Sequence, residues 1–335
     1  REEAREDAGL RILFWGTPEF AVPSLRALVG EGFEIVGVVT QPDRPAGRGR
    51  RLTPSPVRQV ALEEGLTVLT PERPRGDDFL SLIRELRPDV SVVVAYGHIL
   101  SREVLDVPRL GSINLHASLL PRLRGAAPIN WAIARGDRET GVTVMRMVEA
   151  MDAGPVIHQV SEPILPDETA GELTLRLSEV GAAALVEGLT FLDAGVVEEV
   201  EQEESEVTYA PKIDRTTARV DWSRSAREVA DHIRAMDPVP GPWTELEGVS
   251  VKVFRPEVAE GSFVVDEGTA GNGADPLSHA PRPGRVLAAE PAEGILVACG
   301  GGAVLLGEVH PSGSRRMAAA DWINGRGVSV GQTFE

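Results

Sequence analysis

Cysteine is nearly absent: Cys299 stands alone among 335 residues, which excludes an internal disulfide and fits a reducing, cytoplasmic setting. No run of eighteen apolar residues and no basic-then-apolar leader is visible, so neither a membrane span nor a secretory signal is expected. No Cys/His cluster has the spacing of a ligand set, and no metal is expected. Lysine is scarce as well, with only Lys212 and Lys252, so arginine carries nearly all the positive charge. The first strand-to-helix turn, Gly16-Thr-Pro-Glu-Phe20, lacks the G-x-G-x-x-G spacing, which makes a dinucleotide-binding oxidoreductase a poor reading. A helix entered through Thr17 as N-cap, with Pro18 at its first position, accounts for that turn locally.

What is present suits a globular chain of two domains, given 335 residues of which 42% are hydrophobic. Residues 1–9 read as a charged extension. From there, apolar runs alternate with helical patterns. The runs are Leu10 to Trp15, Glu34 to Thr40, Val90 to Ala95, Ser112 to Leu115 and Val142 to Met147. The helical patterns fall at Glu19 to Val29, Pro56 to Glu64, Asp77 to Leu86, Ala127 to Ala134 and Ala170 to Leu192. This alternation predicts an α/β domain over 10–195, built on a doubly wound, mostly parallel sheet. Ligands then belong at the carboxyl ends of its strands, where Gly16-Thr-Pro, Tyr96-Gly-His and Asn114 to His116 fall.

An acidic segment follows over 196–212, with Glu198, Glu199, Glu201, Glu203, Glu204 and Glu206, and reads as a solvated linker. The remainder, 213–335, opens with a short amphipathic helix at Ala226 to Met236 and continues as short strands bounded by turns, the look of a small OB-like β-barrel. Its stretch 257–283 is rich in Gly, Ala, Pro and acids and is expected to form a mobile loop.

The net charge of −17 argues on its face against a nucleic-acid partner. Its distribution argues the other way. Arg44, Arg48, Arg50, Arg51 and Arg58 lie close together against the single acid Asp43, in a Pro- and Gly-rich setting that forbids a regular helix or an inner strand. A basic loop on an acidic protein is the expectation.

The chemistry concentrates in Ser112-Ile-Asn-Leu-His-Ala-Ser-Leu-Leu-Pro121 and in Met151-Asp-Ala-Gly154. Asn114 and His116 are two apart, so on a strand they point the same way. They pair an uncharged amide donor with an imidazole that titrates near neutrality, and Asp152 offers a carboxylate to orient or charge it. That is equipment for acyl transfer. No Ser or Cys nucleophile is evident beside them, which favours direct attack by a substrate amine. Residue types alone leave open a plainer role, in which Asn and His satisfy backbone groups and Asp152 to Gly154 form an ordinary turn.

In residue identity and in the interval between them, the strings Asn114-Leu-His116-Ala-Ser118-Leu-Leu-Pro121 and Asp152-Ala-Gly154 resemble the signature of the folate-dependent formyltransferases. The resemblance runs from Leu10 to Phe334. It includes Tyr96-Gly-His-Ile-Leu100, the stretch from Pro121 to Pro128 and Asn324 to Gln332, while Gly16 to Pro23 resembles the opening of the branch that acts on methionyl initiator tRNA.

The resemblance implies formyl transfer from 10-formyltetrahydrofolate, as co-substrate, to the α-amino group of methionyl initiator tRNA, by a monomeric cytoplasmic enzyme of translation initiation. Asn114, His116 and Asp152 become the catalytic residues. Tyr96, Gly97, Ile99, Leu100, Ser118, Leu119, Leu120, Pro121 and Asp152 become the folate site, with backbone near Ile99 and Leu100 reading the pterin edge. Arg44, Arg48, Arg50 and Arg51 would engage the acceptor stem, and Phe20 would either line the methionyl pocket or sit in the core.

Leu123 and Asn130 depart from the residues frequent in the family. Asn130-Trp131 resembles the enzymes that formylate a UDP-linked amino sugar, the alternative reading, although those lack the arginine loop. A non-enzymatic RNA-binding module is a third possibility, against which the retention of Asn114, His116 and Asp152 together speaks.

Overall fold

The computed structural model describes residues 9–46, 51–259 and 281–335; the charged extension over 1–8, Arg48, Arg50 and most of the 257–283 stretch lie outside the described residues. In chain order come β1 (Arg11–Gly16), α1 (Val22–Gly30), β2 (Glu34–Val39), β3 (Arg44–Ala46), β4 (Arg51–Thr53), α2 (Pro56–Glu63), β5 (Val68–Leu69), α3 (Asp77–Glu85) and β6 (Val90–Val94). They are followed by α4 (Arg102–Leu105), β7 (Ser112–His116), α5 (Pro128–Ala134), β8 (Glu139–Arg146), β9 (Val156–Pro163) and α6 (Ala170–Asp193).

Seven strands form one sheet in the order β5-β2-β1-β6-β7-β8-β9. It is parallel from β5 through β7, with β8 and β9 antiparallel. Continuous apolar sequence is what an inner parallel strand requires, and every residue of β6 is buried. The chain winds outward from β1 through β2 to β5 and then returns to β6 and β7 on the other side. The switch point therefore falls between β1 and β6, where open α/β sheets form ligand crevices.

Two compact units are present, one comprising 1–128, 139–163 and 174–211, the other 129–138, 164–173 and 212–335. Boundaries drawn along the sequence at 195 and 213 divide the chain differently, because 196–211 goes with the first unit. The acidic side chains of that segment are largely exposed. Its backbone is nevertheless strung on the first unit, through a bridge from Val200 to Val156 and through Arg124, whose N–H donates to the Thr208 carbonyl and whose carbonyl accepts from the Ala210 N–H.

The second unit adds α7 (Ala226–Met236), β10 (Trp243–Leu246), β11 (Val249–Ala259), β12 (Val286–Glu290), β13 (Gly294–Ala298), β14 (Ala303–Pro311), β15 (Met317–Ala318) and α8 (Ala319–Asn324). Its antiparallel order is β10-β11-β14-β13-β12, with β15 on β14. The C-terminal residues join the two ends of this sheet, Phe334 bridging Leu246 and Thr333 bridging Arg285, which gives the OB-like closure. Ser225 and Glu228 cap α7 reciprocally, an arrangement worth about 1 kcal/mol. Val229 and Ile233 of that helix pack into a core with Trp222, Val253, Val304 and Phe334.

Three local expectations change. Thr17 is not a helix cap: a short 3-10 turn at Glu19–Ala21 precedes α1, and the Thr17 hydroxyl donates instead to the Tyr96 carbonyl at 3.0 Å. The basic loop is a two-stranded ribbon, β3 against β4, separate from the main sheet as its Pro and Gly content requires. Residues 257–259 belong to β11 rather than to a loop, since they keep pairing with β14. Among the described residues no helix is long and apolar enough to cross a membrane.

Candidate active site

Strand alternation sets the site. On β7, Leu115 points to the core, where a Cβ on Gly181 of α6 would come within 2.7 Å of its side chain, so Asn114 and His116 share the other face. In register, Asn114 lies opposite Val93 of β6 and Met145 of β8. The Tyr96 to Leu100 loop, which leaves the end of β6, therefore emerges next to these two residues. The Asn114 amide is partly buried and has no hydrogen-bond partner among the described residues.

His116 is 6% exposed, and its two nitrogens have different partners. Nε2 lies 3.0 Å from the Leu123 carbonyl oxygen. A carbonyl only accepts, so Nε2 carries the proton and the neutral ring presents its lone pair at Nδ1. Nδ1 faces Asp152, whose Oδ2 lies 3.8 Å away. The same Oδ2 accepts from the Gly125 N–H at 2.8 Å. Asp152 itself occupies the left-handed region, φ 51°, a conformation that costs a non-glycine residue about 1 kcal/mol and persists where the surroundings enforce it. Gly154 allows the turn to close, because a Cβ there would collide with the Arg146 carbonyl.

Around this centre the other sequence candidates divide. The Tyr96 ring is core, packed edge-on against Trp15 at 5.3 Å. Its hydroxyl is buried without a partner among the described residues, and burial pushes its pKa up to about 12. The Tyr96 carbonyl accepts from Thr17 and, at 2.8 Å, from the Gln41 amide. Gly97 adopts φ 85°, which leaves room for that amide. Ile99 is 86% exposed and Leu100 is buried, so the loop presents its backbone and Ile99 outward.

After β7, the Ser118 hydroxyl donates to the Arg122 carbonyl at 2.7 Å. Thr143 donates to the Ser118 carbonyl at 2.6 Å and accepts from the Leu120 N–H at 3.1 Å. The polar groups of Ser118 and Leu120 thus shape the loop, with Leu119 half-buried and Pro121 completing it. Phe20 is half-buried rather than core. Of the loop arginines, Arg44 is exposed at the foot of the ribbon, and the side chains of Arg48, Arg50 and Arg51 lie outside the described residues. Arg58 is paired with Asp43. Asn130, the residue that suggested a sugar substrate, spends its amide on the Ala235 carbonyl at 2.6 Å within the second unit.

Gln202, Arg124 and Gly125 were missed as site residues. Gln202 was hidden by the acids around it, although an uncharged amide inside an acidic run was a usable signal. Among the described residues no cluster of His, Cys, Asp and Glu could hold a metal.

Residues 10–189 match the formyl transferase family and 212–327 match the formyl transferase C-terminal domain. A methionyl-tRNA formyltransferase of Symbiobacterium thermophilum is 48% identical over 97% of this chain and 95% of its own. One from Aromatoleum aromaticum is 45% identical over 98% of each chain. Among solved structures, HypX of Aquifex aeolicus in complex with tetrahydrofolic acid superposes with a TM-score of 0.61 at 20% identity, over 96% of this chain and 48% of HypX. An N-formyltransferase of Helicobacter canadensis, complexed with folinic acid and dTDP-3-aminofucose, gives 0.62 at 16% identity over 92% of this chain and 100% of its own. At such identities the two structures share the fold.

Proposed function

The chain belongs to the formyl transferase family, and from that premise we propose that it transfers the formyl group of 10-formyltetrahydrofolate to the α-amino group of methionine on initiator tRNA. The observation that carries the reading is end-to-end similarity at 45–48% identity to proteins named for that activity, joined to a site whose groups suit it.

When bound, 10-formyltetrahydrofolate supplies an activated formyl group. Attack by the amine gathers negative charge on the formyl oxygen and leaves a proton to be removed from nitrogen. Asn114 is the neutral donor for that oxygen, its amide being unspent, and a preorganised donor of this kind is worth about 10²- to 10³-fold in rate. His116 can act only through Nδ1, because Nε2 is engaged by Leu123. A proton on Nδ1 enters the field of the Asp152 carboxylate, and His116 then donates from that atom. Asp152 either holds His116 in this charged form or takes the amine proton itself, directly or through water. Such acid-base assistance is worth roughly 10²- to 10⁴-fold.

Folate lies against the loops at 96–100 and 118–121, with Ile99 and its backbone available for the pterin and Asp152 at the reacting end. Phe20, half-open at the β1 end, is available to the methionyl side chain. Arg44, Arg48, Arg50 and Arg51 of the basic loop meet phosphates of the acceptor stem. The enzyme acts as a monomer in the cytoplasm, where charged tRNA is available.

The deciding experiment offers the protein formyl-folate with either methionyl initiator tRNA or a UDP-linked amino sugar. Formyl-methionyl-tRNA is the expected product; formylation of the sugar alone overturns the assignment.

A further inference from the structure

The turn that carries Asp152 is gripped from a distant part of the chain. The Gln202 side-chain Nε2 donates to the Asp152 carbonyl at 2.9 Å and to the Gly154 carbonyl at 2.7 Å. Its Oε1 accepts from Arg124 Nε at 3.0 Å. A guanidinium only donates and a carbonyl only accepts, so the amide cannot be flipped and both of its hydrogens are committed to the turn. Arg124 is itself 4% exposed, and its Nη2 reaches Glu204 at 2.9 Å. We propose that Gln202 is a positioning residue for formyl transfer, holding the Asp152 turn in its reactive shape while Arg124 and Glu204 fix the amide that does so. The inference rests on the catalytic reading given above.

Three features tie the contact to the chemistry. Asp152 sits in the left-handed region, φ 51°, a conformation that needs enforcement, and its carbonyl is one of the two atoms Gln202 holds. The loop that supplies Arg124 also aims the catalytic pair: the Leu123 carbonyl holds His116 Nε2, and the Gly125 N–H holds Asp152 Oδ2. Gln202 thus joins the loop at 123–125 to the turn at 152–154, and the separation of His116 from Asp152 depends on both. Finally, Gln202 Nε2 lies 4.0 Å from the sulfur of Met145, the β8 residue in register with Asn114. The amide therefore lies along the strand pair that carries the oxyanion donor.

Two variants separate positioning from bulk. Gln202→Met keeps length and volume but removes every polar contact. Gln202→Glu keeps an oxygen for Arg124 and removes both donated hydrogens. With full-length protein, single-turnover formylation of methionyl initiator tRNA at saturating formyl-folate is expected to fall by roughly 10- to 100-fold in both, since a misplacement of about 1 Å costs rates of that order. KM for each substrate should stay close to wild type, and melting curves establish that both variants fold. Adding Asp152→Asn to Gln202→Met should cost little beyond Asp152→Asn alone, because Gln202 acts through Asp152. A purely structural role predicts additive losses. Rates within about twofold of wild type in both variants, or full additivity in the double variant, overturn the inference. A wild-type protein that does not formylate methionyl-tRNA overturns the functional reading instead, and the inference falls with it.

Discussion

Gly125 and Asp152 are joined by a hydrogen bond of 2.8 Å from the backbone N–H of the first to Oδ2 of the second, and this bond fixes the carboxyl group whether or not it is charged. An amide oxygen at the same place would still accept, though more weakly without the charge. Asp152→Asn should therefore keep the turn and the fold while removing the charge opposite His116 Nδ1. The single-turnover rate is expected to fall by at least about 10²-fold with tRNA affinity nearly unchanged. His116→Ala should do the same, and a near-wild-type rate in either variant would sink the assignment of the pair.

Gly125 is irreplaceable for a different reason. At φ 123° with a hypothetical Cβ 2.7 Å from the Ala210 carbonyl oxygen, any side chain pushes the 121–125 loop away from the strand-like segment at 208–210. Gly125→Ala is expected to destabilise the first unit by roughly 1–3 kcal/mol. It should also slow formyl transfer, because the displaced N–H no longer holds Asp152. Thermal melting and kcat measured on one preparation test both effects; wild-type kcat would show that the bond is dispensable.

Much of this was legible beforehand, for physical reasons. Every residue of β6 is buried and all but Ser91 are valine, and such runs announce inner strands whatever their surroundings. The residues at 114, 116 and 152 stand out because they offer a donor, a titratable ring and a carboxylate, but these types alone leave a plainer role open, and it is their likeness to the formyltransferase signature that points to acyl transfer. What stayed hidden depends on long-range approach. β9, an edge strand with residues of intermediate and full exposure, has no apolar run to betray it. The identity of the free His116 nitrogen depends on a carbonyl at Leu123, and no side-chain pattern encodes which carbonyl will be near. Gln202 looked like solvated linker because its neighbours are acids, yet its partners lie some fifty residues away in sequence.

Cys299 should be chemically silent in the folded protein. It is 5% exposed, and burial pushes its thiol up to about 12, so almost no thiolate exists at neutral pH and a reagent has little access. A disulfide-exchange reagent is expected to label no thiol in the native state and one per chain after denaturation. Rapid native labelling would mean that the β13 end opens readily.

His232 of α7 gives the second unit a sensitivity to acid. Burial, as the largest cause, holds its imidazole below the ordinary 6.5, and its Nε2 is buried without a hydrogen-bond partner among the described residues. The folded state thus resists a proton that the unfolded chain accepts once the pH falls below about 6.5. Above that value the penalty is absent, and it grows downward until the depressed folded value is reached. The melting temperature of the second unit should fall as pH drops from about 7.5 to about 5.5, and the fall should be smaller in His232→Gln. An identical pH dependence in the variant would assign the effect to other groups.

The arginine ribbon tests whether a chain of net charge −17 can hold RNA through one basic feature. Arg58 is occupied by Asp43, which makes it part of the foot of the ribbon and leaves the acid neutralised. Arg44 is exposed on β3, and in the sequence between β3 and β4 Arg48 stands between two glycines. If Arg44, Arg48, Arg50 and Arg51 meet phosphates, each contact releases counterions, so log affinity should fall linearly with log salt, by close to one unit of slope per contact. Removing one such arginine should lower that slope by about one. Arg48→Ala is therefore expected to weaken formylation of methionyl-tRNA severely at moderate salt and to flatten the salt dependence. Folate binding should be unchanged, because no residue of the ribbon belongs to the loops assigned to folate. Arg44→Ala should flatten the slope similarly. If both variants formylate tRNA like wild type across the salt range, the ribbon is a solvated hairpin, and the contacts that hold the tRNA must be sought on the C-terminal barrel.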